Sequence, residues 1–198
     1  MNTPTHMLIA ASLFAKPEKP ALTWVAVVGG LLPDLSLYLL VFWSLGVRGE
    51  STDKVFGENY FSADWQRIFS IDNSFFVWAL VIAIGLYAKR EWVWVLGVAC
   101  IVHLLADFPL HHDDGRAHFW PVSDWVFQSP VSYWDVNHHA GIVAPLEGLL
   151  CILLYVYLFW KFRSRAARMV VAACLAVPVL IVLLIAGLFK TGMLSVPG

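Results

Sequence analysis

Long apolar runs are the feature of this chain that most restricts its fold. Five of them are long enough, or nearly so, to cross a hydrocarbon core of about 30 Å as helices that rise about 1.5 Å per residue. Apolar residues make up 60% of the 198 residues, a share well above that of soluble domains. The sequence therefore predicts an all-α integral membrane bundle, a single domain over residues 1–198 with about five transmembrane helices. The predicted spans are 21–46, 74–88, 93–110, 142–160 and 169–189, and a short N-terminal helix, 4–15, precedes them.

The loops between these runs differ in charge, and the difference predicts their orientation. Eight of the thirteen Lys and Arg residues lie in the short connections 16–20, 89–91 and 161–168. The long connections, about 47–73 and 111–141, hold four. Because cytoplasmic loops carry an excess of Lys and Arg, the long loops are expected on the outer side. The expected location is a bacterial inner (plasma) membrane, in which the outer side would be the periplasm. The net charge of −1 leaves no basic stripe for nucleic acid.

A column of polar residues interrupts the third predicted span. His103, Asp107 and His111 are spaced four residues apart, and such residues lie on one face of a helix. A carboxylate within hydrocarbon is costly unless it has a partner, and this run contains no Lys or Arg. A divalent cation held by the column is the simplest partner.

Other runs bring ionisable residues to a similar depth. Counted from the predicted cytoplasmic loops, His6, Asp34, His103 and Glu147 lie roughly 15–21 Å into the bilayer, with Asp107 about 6 Å above His103. Mixed His and carboxylate ligands suit zinc, and also manganese or iron. The number of ligands allows one or two ions. The sequence thus predicts a metal site that opens outward.

Proline next to Asp34 supports this placement. Pro33 removes a helical hydrogen bond and leaves the carbonyl of Gly29 without its donor. Within lipid, such a gap is tolerated where protein, water or a cavity satisfies it. Gly29 and Gly30 allow another helix to approach closely at the same turn.

Four short motifs occur in order along the chain. They are Thr5-His6, the Gly29-Gly30 turn ending in Pro33-Asp34, the helix carrying Gly97, His103 and Asp107, and the turn from Phe119 to Ser123. Together they resemble the membrane-bound metal-dependent hydrolases typified by the YdjM and YbcI inner-membrane proteins, and their order is also similar to that of soluble zinc-dependent phospholipases C. The resemblance covers about residues 3–147, and it implies His6, Asp34, His103 and Asp107 as metal ligands and hydrolysis of a phosphoester. The chain departs from the family in the segment just before the predicted span 74–88. In many members this segment is rich in Arg and His. Here that segment contains Asp72 and Asn73 instead.

The predicted chemistry is attack of metal-activated water on a phosphoester in a membrane lipid or lipid-linked substrate. Glu147 or Asp72 is expected to take the proton from water. A loop histidine, with His138 as the candidate, is expected to protonate the leaving group. His111 is either a further metal ligand or a solvated loop residue. Two alternatives stay open: a metal-ion or proton transporter that uses the same residues, and a membrane scaffold without catalysis.

Overall fold

A computed structural model describes residues 1–165 and 168 of the chain. Within these residues the regular structure is entirely helical, which confirms the predicted all-α class. Short non-α segments follow α2 and α3 and precede α7, at Trp43–Val47, Val55–Asn59 and Val136–His138. The α-helices are α1 (Thr3–Leu13), α2 (Pro20–Phe42), α3 (Thr52–Lys54), α4 (Ala63–Asp72), α5 (Phe75–Tyr87), α6 (Glu91–Asp107) and α7 (Ala140–Lys161).

Three helical stretches are long and apolar enough to span a membrane: Pro20–Val47, Ala63–Tyr87 and Ala140–Lys161. The membrane character predicted from the sequence is consistent with them, but a bundle of five spans is not confirmed. Helix α6 has 17 residues, or about 25 Å at 1.5 Å per residue, which is short of a full hydrocarbon core. The predicted span 169–189 lies outside the described residues. The short N-terminal helix is confirmed as α1.

Serine and proline residues set several helix boundaries. Pro20 stands at the first position of α2, where its missing N–H is not needed. Ser62 and Ser74 precede α4 and α5, and each side chain accepts a hydrogen bond from the backbone N–H three residues later, as N-caps do. The Ser74 cap separates α4 from α5 within the second apolar stretch.

Helix α1 lies at the centre of the packing that forms the site. On one side its residues Leu8 and Ala11 pack with Leu158 of α7. On another side Ala10 packs with Ala26 of α2 and with α6. The outward face of α7 exposes Leu146, Leu149, Ile152 and Leu153, as expected for a helix that faces lipid.

Two adjacent glycines let the backbones of three helices approach closely. A Cβ atom on Gly29 would lie 2.6 Å from the Cβ of Ala99 in α6, and one on Gly30 would lie 2.8 Å from the backbone oxygen of His6 in α1. Real Cβ atoms do not approach so closely, so a side chain at either position would push the helices apart. The glycines therefore fix the distances between α1, α2 and α6.

The long loop after α6 folds back over the end of that helix. The backbone N–H of Ser129 donates to the carbonyl of His111 at 2.9 Å, and that of Tyr133 donates to Leu110 at 3.1 Å. The rings of Phe108 and Phe127 stack with centroids 4.8 Å apart. This loop forms one wall of the cavity described below.

Candidate metal centre

Two histidines and one aspartate from α1 and α6 form a buried group that could hold a metal ion. His6, His103 and Asp107 each offer a ligand atom, and these atoms lie within 4.8 Å of one another. His6 Nε2 is 2.9 Å from Asp107 Oδ1, and His103 Nε2 is 3.2 Å from Asp107 Oδ2. The two imidazole rings are stacked, with centroids 3.6 Å apart. The predicted meeting of α1 and α6 around Asp107 is therefore present in the structure.

The backbone of α2 orients the His103 ring. His103 Nδ1 lies 2.8 Å from the carbonyl oxygen of Gly30, so an Nδ1–H that donates there leaves the lone pair on Nε2. Metal-binding histidines commonly hold their second nitrogen in this way. The Nε2 atom is buried and makes no hydrogen bond of good geometry. Because buried polar atoms are normally satisfied, this unpartnered nitrogen fits a metal ligand.

Asp34 lies at the edge of the group. Its Oδ1 atom is 3.6 Å from His103 Nε2, and its Oδ2 atom accepts a hydrogen bond from the Thr3 hydroxyl. That hydroxyl also lies 2.6 Å from the Tyr38 hydroxyl. The structure thus places Asp34 beside the predicted ligands, with one oxygen facing them and the other held by α1.

His111 extends the column beyond the end of α6. Its Nε2 atom is 3.4 Å from Asp107 Oδ1, and its Nδ1 is 2.9 Å from Asp114 Oδ2. Burial acts to lower the pKa of His111, but the neighbouring carboxylates of Asp107 and Asp114 outweigh it and raise the pKa to about 9. The side chain of His111 is mostly buried, and its Nε2 atom makes no hydrogen bond of good geometry.

A polar cavity of about 100 Å³ opens beside Asp107. The amino group of Met1 enters it and contacts Asp107 Oδ1. The cavity brings together side chains from α1, α2, α6 and both long loops, so it joins the candidate ligands to these loops. Its polar lining includes Thr3, Asp34, Tyr38, Tyr60, Asn73, Asp107, His111, Asp114, Arg116, His118 and Tyr133.

The three residues predicted to move protons lie elsewhere. Glu147 is buried, but its Oε1 atom accepts hydrogen bonds from the Asn2 backbone at 2.7 Å and from the Thr5 hydroxyl at 2.6 Å. Asp72 ends α4, and His138 pairs with Asp135 at 2.5 Å in the long loop after α6. None of the three lines the cavity.

Sequence reasoning missed several cavity residues, chiefly Arg116 and Thr3. The signal for Arg116 was present, because it is a basic residue within a stretch rich in His and Asp that follows α6. Thr3 gave no signal that separates it from other threonines.

Comparison of the chain with protein-family models, with curated proteins and with solved structures gave no match.

Proposed function

We propose that this chain is a metal-dependent membrane hydrolase that cleaves a phosphoester in a lipid or lipid-linked substrate. The observation that carries the proposal is the buried group of His6, His103 and Asp107, in which His103 Nε2 lacks a hydrogen bond. Two imidazoles and one carboxylate are a ligand set typical of catalytic zinc, and manganese or iron would also fit. Such sites keep a further position for water or substrate.

In this proposal, different residues around the cavity bind the metal and accept a proton from water. His6, His103 and Asp107 would hold the ion, and His111 and Asp34 are placed to complete its ligand set or to bind a second ion. A bound zinc ion would supply an activated water at neutral pH and polarise a phosphoryl oxygen. Asp34 keeps one oxygen directed toward His103, so it is better placed than Glu147 or Asp72 to accept a proton from water. The membrane location proposed for the protein is the bacterial inner membrane, with the cavity facing the periplasm.

The packing below the site favours an enzyme over a transporter. On the predicted cytoplasmic side of His6 and His103, residues Ala10, Ala26 and Val95 form a closed apolar cluster in which each is fully buried. An ion that crossed the membrane would need polar groups or water along this route. Hydrolysis requires access from one side alone.

Elemental analysis of the protein purified in mild detergent tests the proposed function. After incubation with zinc and desalting, wild type is expected to keep close to one zinc per chain, and His103→Ala and Asp34→Ala are expected to lose most of it. His139→Asn is the matched control, because His139 is exposed on the outer loop. Size-exclusion chromatography confirms that each variant is folded.

The zinc-loaded protein is then assayed with phospholipids and simple phosphodiesters. Turnover by wild type and loss of turnover in His103→Ala support a hydrolase. A wild-type chain that keeps no zinc, or a His103→Ala chain that keeps as much as wild type, contradicts the proposal. Uptake of metal into proteoliposomes without turnover would favour the transporter.

A further inference from the structure

Arg116 places a positive charge in the wall of the cavity, and its side chain is half-buried. It belongs to the loop that follows α6 and lines the same cavity as Asp107 and His111. Its Nη1 atom is buried and makes no hydrogen bond. Leaving a charged donor unpaired away from water is costly. The unpaired Nη1 therefore indicates a position where a ligand oxygen would be bound.

Aromatic side chains fix the position of this guanidinium. Its central carbon lies 4.7 Å from the ring centroid of Tyr60 and 4.3 Å from that of Phe69. Contacts of this kind are favourable cation–π interactions. Because Phe69 belongs to α4 and is almost fully buried, the guanidinium rests against a rigid part of the fold. It is thus ordered before any ligand arrives.

We propose that Arg116 binds an anionic oxygen of a phosphoryl group held in this cavity. The inference rests on the proposed function, and it names the chemical class that the site accepts. Arginine suits this role because its planar fork donates two parallel hydrogen bonds to phosphate oxygens.

The size and charge of the cavity agree with this occupant. Its volume of about 100 Å³ is enough for several water molecules or for one phosphoryl group. The cavity also contains the carboxylates of Asp34, Asp107 and Asp114, which repel an anion. Binding of phosphate is therefore expected to need both Arg116 and a bound divalent cation.

Titration calorimetry in a non-ionic detergent tests the inference. Zinc-loaded protein is titrated with inorganic phosphate and, separately, with short-chain phosphatidic acid. Arg116→Gln is expected to weaken the binding of either ligand by about tenfold or more, since hydrogen bonds to charged groups are the strong ones, while its zinc content stays that of wild type. Arg67→Gln is the matched control, because Arg67 is exposed on α4 and does not line the cavity. It should bind as wild type does.

The outcomes separate this inference from the proposed function. A wild-type chain that takes up no zinc contradicts the proposed function itself. A zinc-loaded chain that binds neither ligand, or binds both equally well with and without Arg116, overturns only the role of Arg116. If Arg116→Gln fails to fold, Arg116→Met removes the charge but keeps an apolar stem against Tyr60 and Phe69, and unchanged affinity in that variant also overturns the inference. Among supporting results, tighter binding of phosphatidic acid identifies a lipid headgroup as the ligand, and tighter binding of phosphate identifies the free ion.

Discussion

Asp107 is the residue on which the contacts of the site converge. Its two oxygens face imidazole nitrogens of His6, His103 and His111, and one of them also contacts the amino group of Met1. The carboxylate therefore lies in a polar environment made by three imidazoles, without a lysine or arginine in its own helix. This arrangement explains how an aspartate is accommodated at the end of an apolar run.

Individual residues differ in how well the sequence predicted their positions. The spacing of His103 and Asp107 placed them on one face of a helix, and the structure agrees. The direction of the Glu147 side chain could not be predicted, because counting residues gives the height of a side chain along a helix but not its direction around the axis. Its carboxylate faces Asn2 and Thr5. Arg116 lies in an irregular loop, whose path has no periodicity to read.

His118 provides a prediction about pH. Burial lowers the pKa of His118, and its Nδ1 lies 2.8 Å from the carbonyl oxygen of Asn73. In the unfolded chain this histidine titrates near its ordinary pKa of about 6.5. Below that value the unfolded state binds a proton that the folded state does not, so folding becomes less favourable as the pH falls.

The expected result is a difference in melting temperature that depends on pH. Wild type should exceed His118→Gln in Tm at pH 7, and this advantage should shrink by pH 5. The measurement is thermal unfolding in detergent at both pH values, with His139→Asn as a control whose difference from wild type stays constant. An advantage that grows on acidification would show that His118 does not behave as a buried neutral group.

At the scale of elements, close contact between α1, α2 and α6 determines whether the ligands meet. The sequence indicated this contact through the Gly29-Gly30 pair, although it could not tell which helices approach. It also extended the third span to residue 110, whereas α6 ends at Asp107. Pro109 accounts for the difference, because a proline has no N–H to continue the helical hydrogen bonds.

Substitution of Gly30 tests the role of this contact. Gly30→Ala places a methyl group against the backbone of His6 and Met7, so α1 must shift away from α2. The expected cost is about 1–3 kcal/mol of stability, together with a loss of bound zinc. Gly148→Ala is the matched control, since a Cβ at Gly148 of α7 meets nothing within 4 Å. It should leave zinc content unchanged and raise helix stability slightly. Equal zinc content in the two variants would contradict this account.

At the scale of the whole molecule, the charged loops and the cavity lie at opposite ends of the helices. Lys16 and Lys19 pair with Glu91 at 3.4 and 2.7 Å, and this joins two of the short basic connections. The cavity lies among the long loops. The sequence alone could separate the short basic connections from the long loops, because the charge of a loop depends only on its own residues. It could not establish the number of spans, because a helix of 17 residues such as α6 is near the limit of membrane thickness.

Labelling of single cysteines tests the orientation in the membrane. In a background with all three native cysteines replaced by alanine, Val122→Cys should react with a membrane-impermeant maleimide in intact cells with a permeabilised outer membrane. Glu18→Cys should react only after the inner membrane is disrupted. Val122 is 74% exposed and Glu18 is also exposed, so access to reagent is not limited by the fold. The reverse pattern would place the cavity on the cytoplasmic side.

Two adjacent residues of α1 contact two different helices. His6 meets Asp107 of α6, whereas Thr5 holds Glu147 of α7, and α7 packs mainly against α1. Because Thr5 and His6 are adjacent on one helix, a rotation of α1 about its axis that moves His6 also moves Thr5. A shift at the His6–Asp107 contact is therefore expected to reach Glu147 of α7, although α7 contributes no residue to the lining of the cavity.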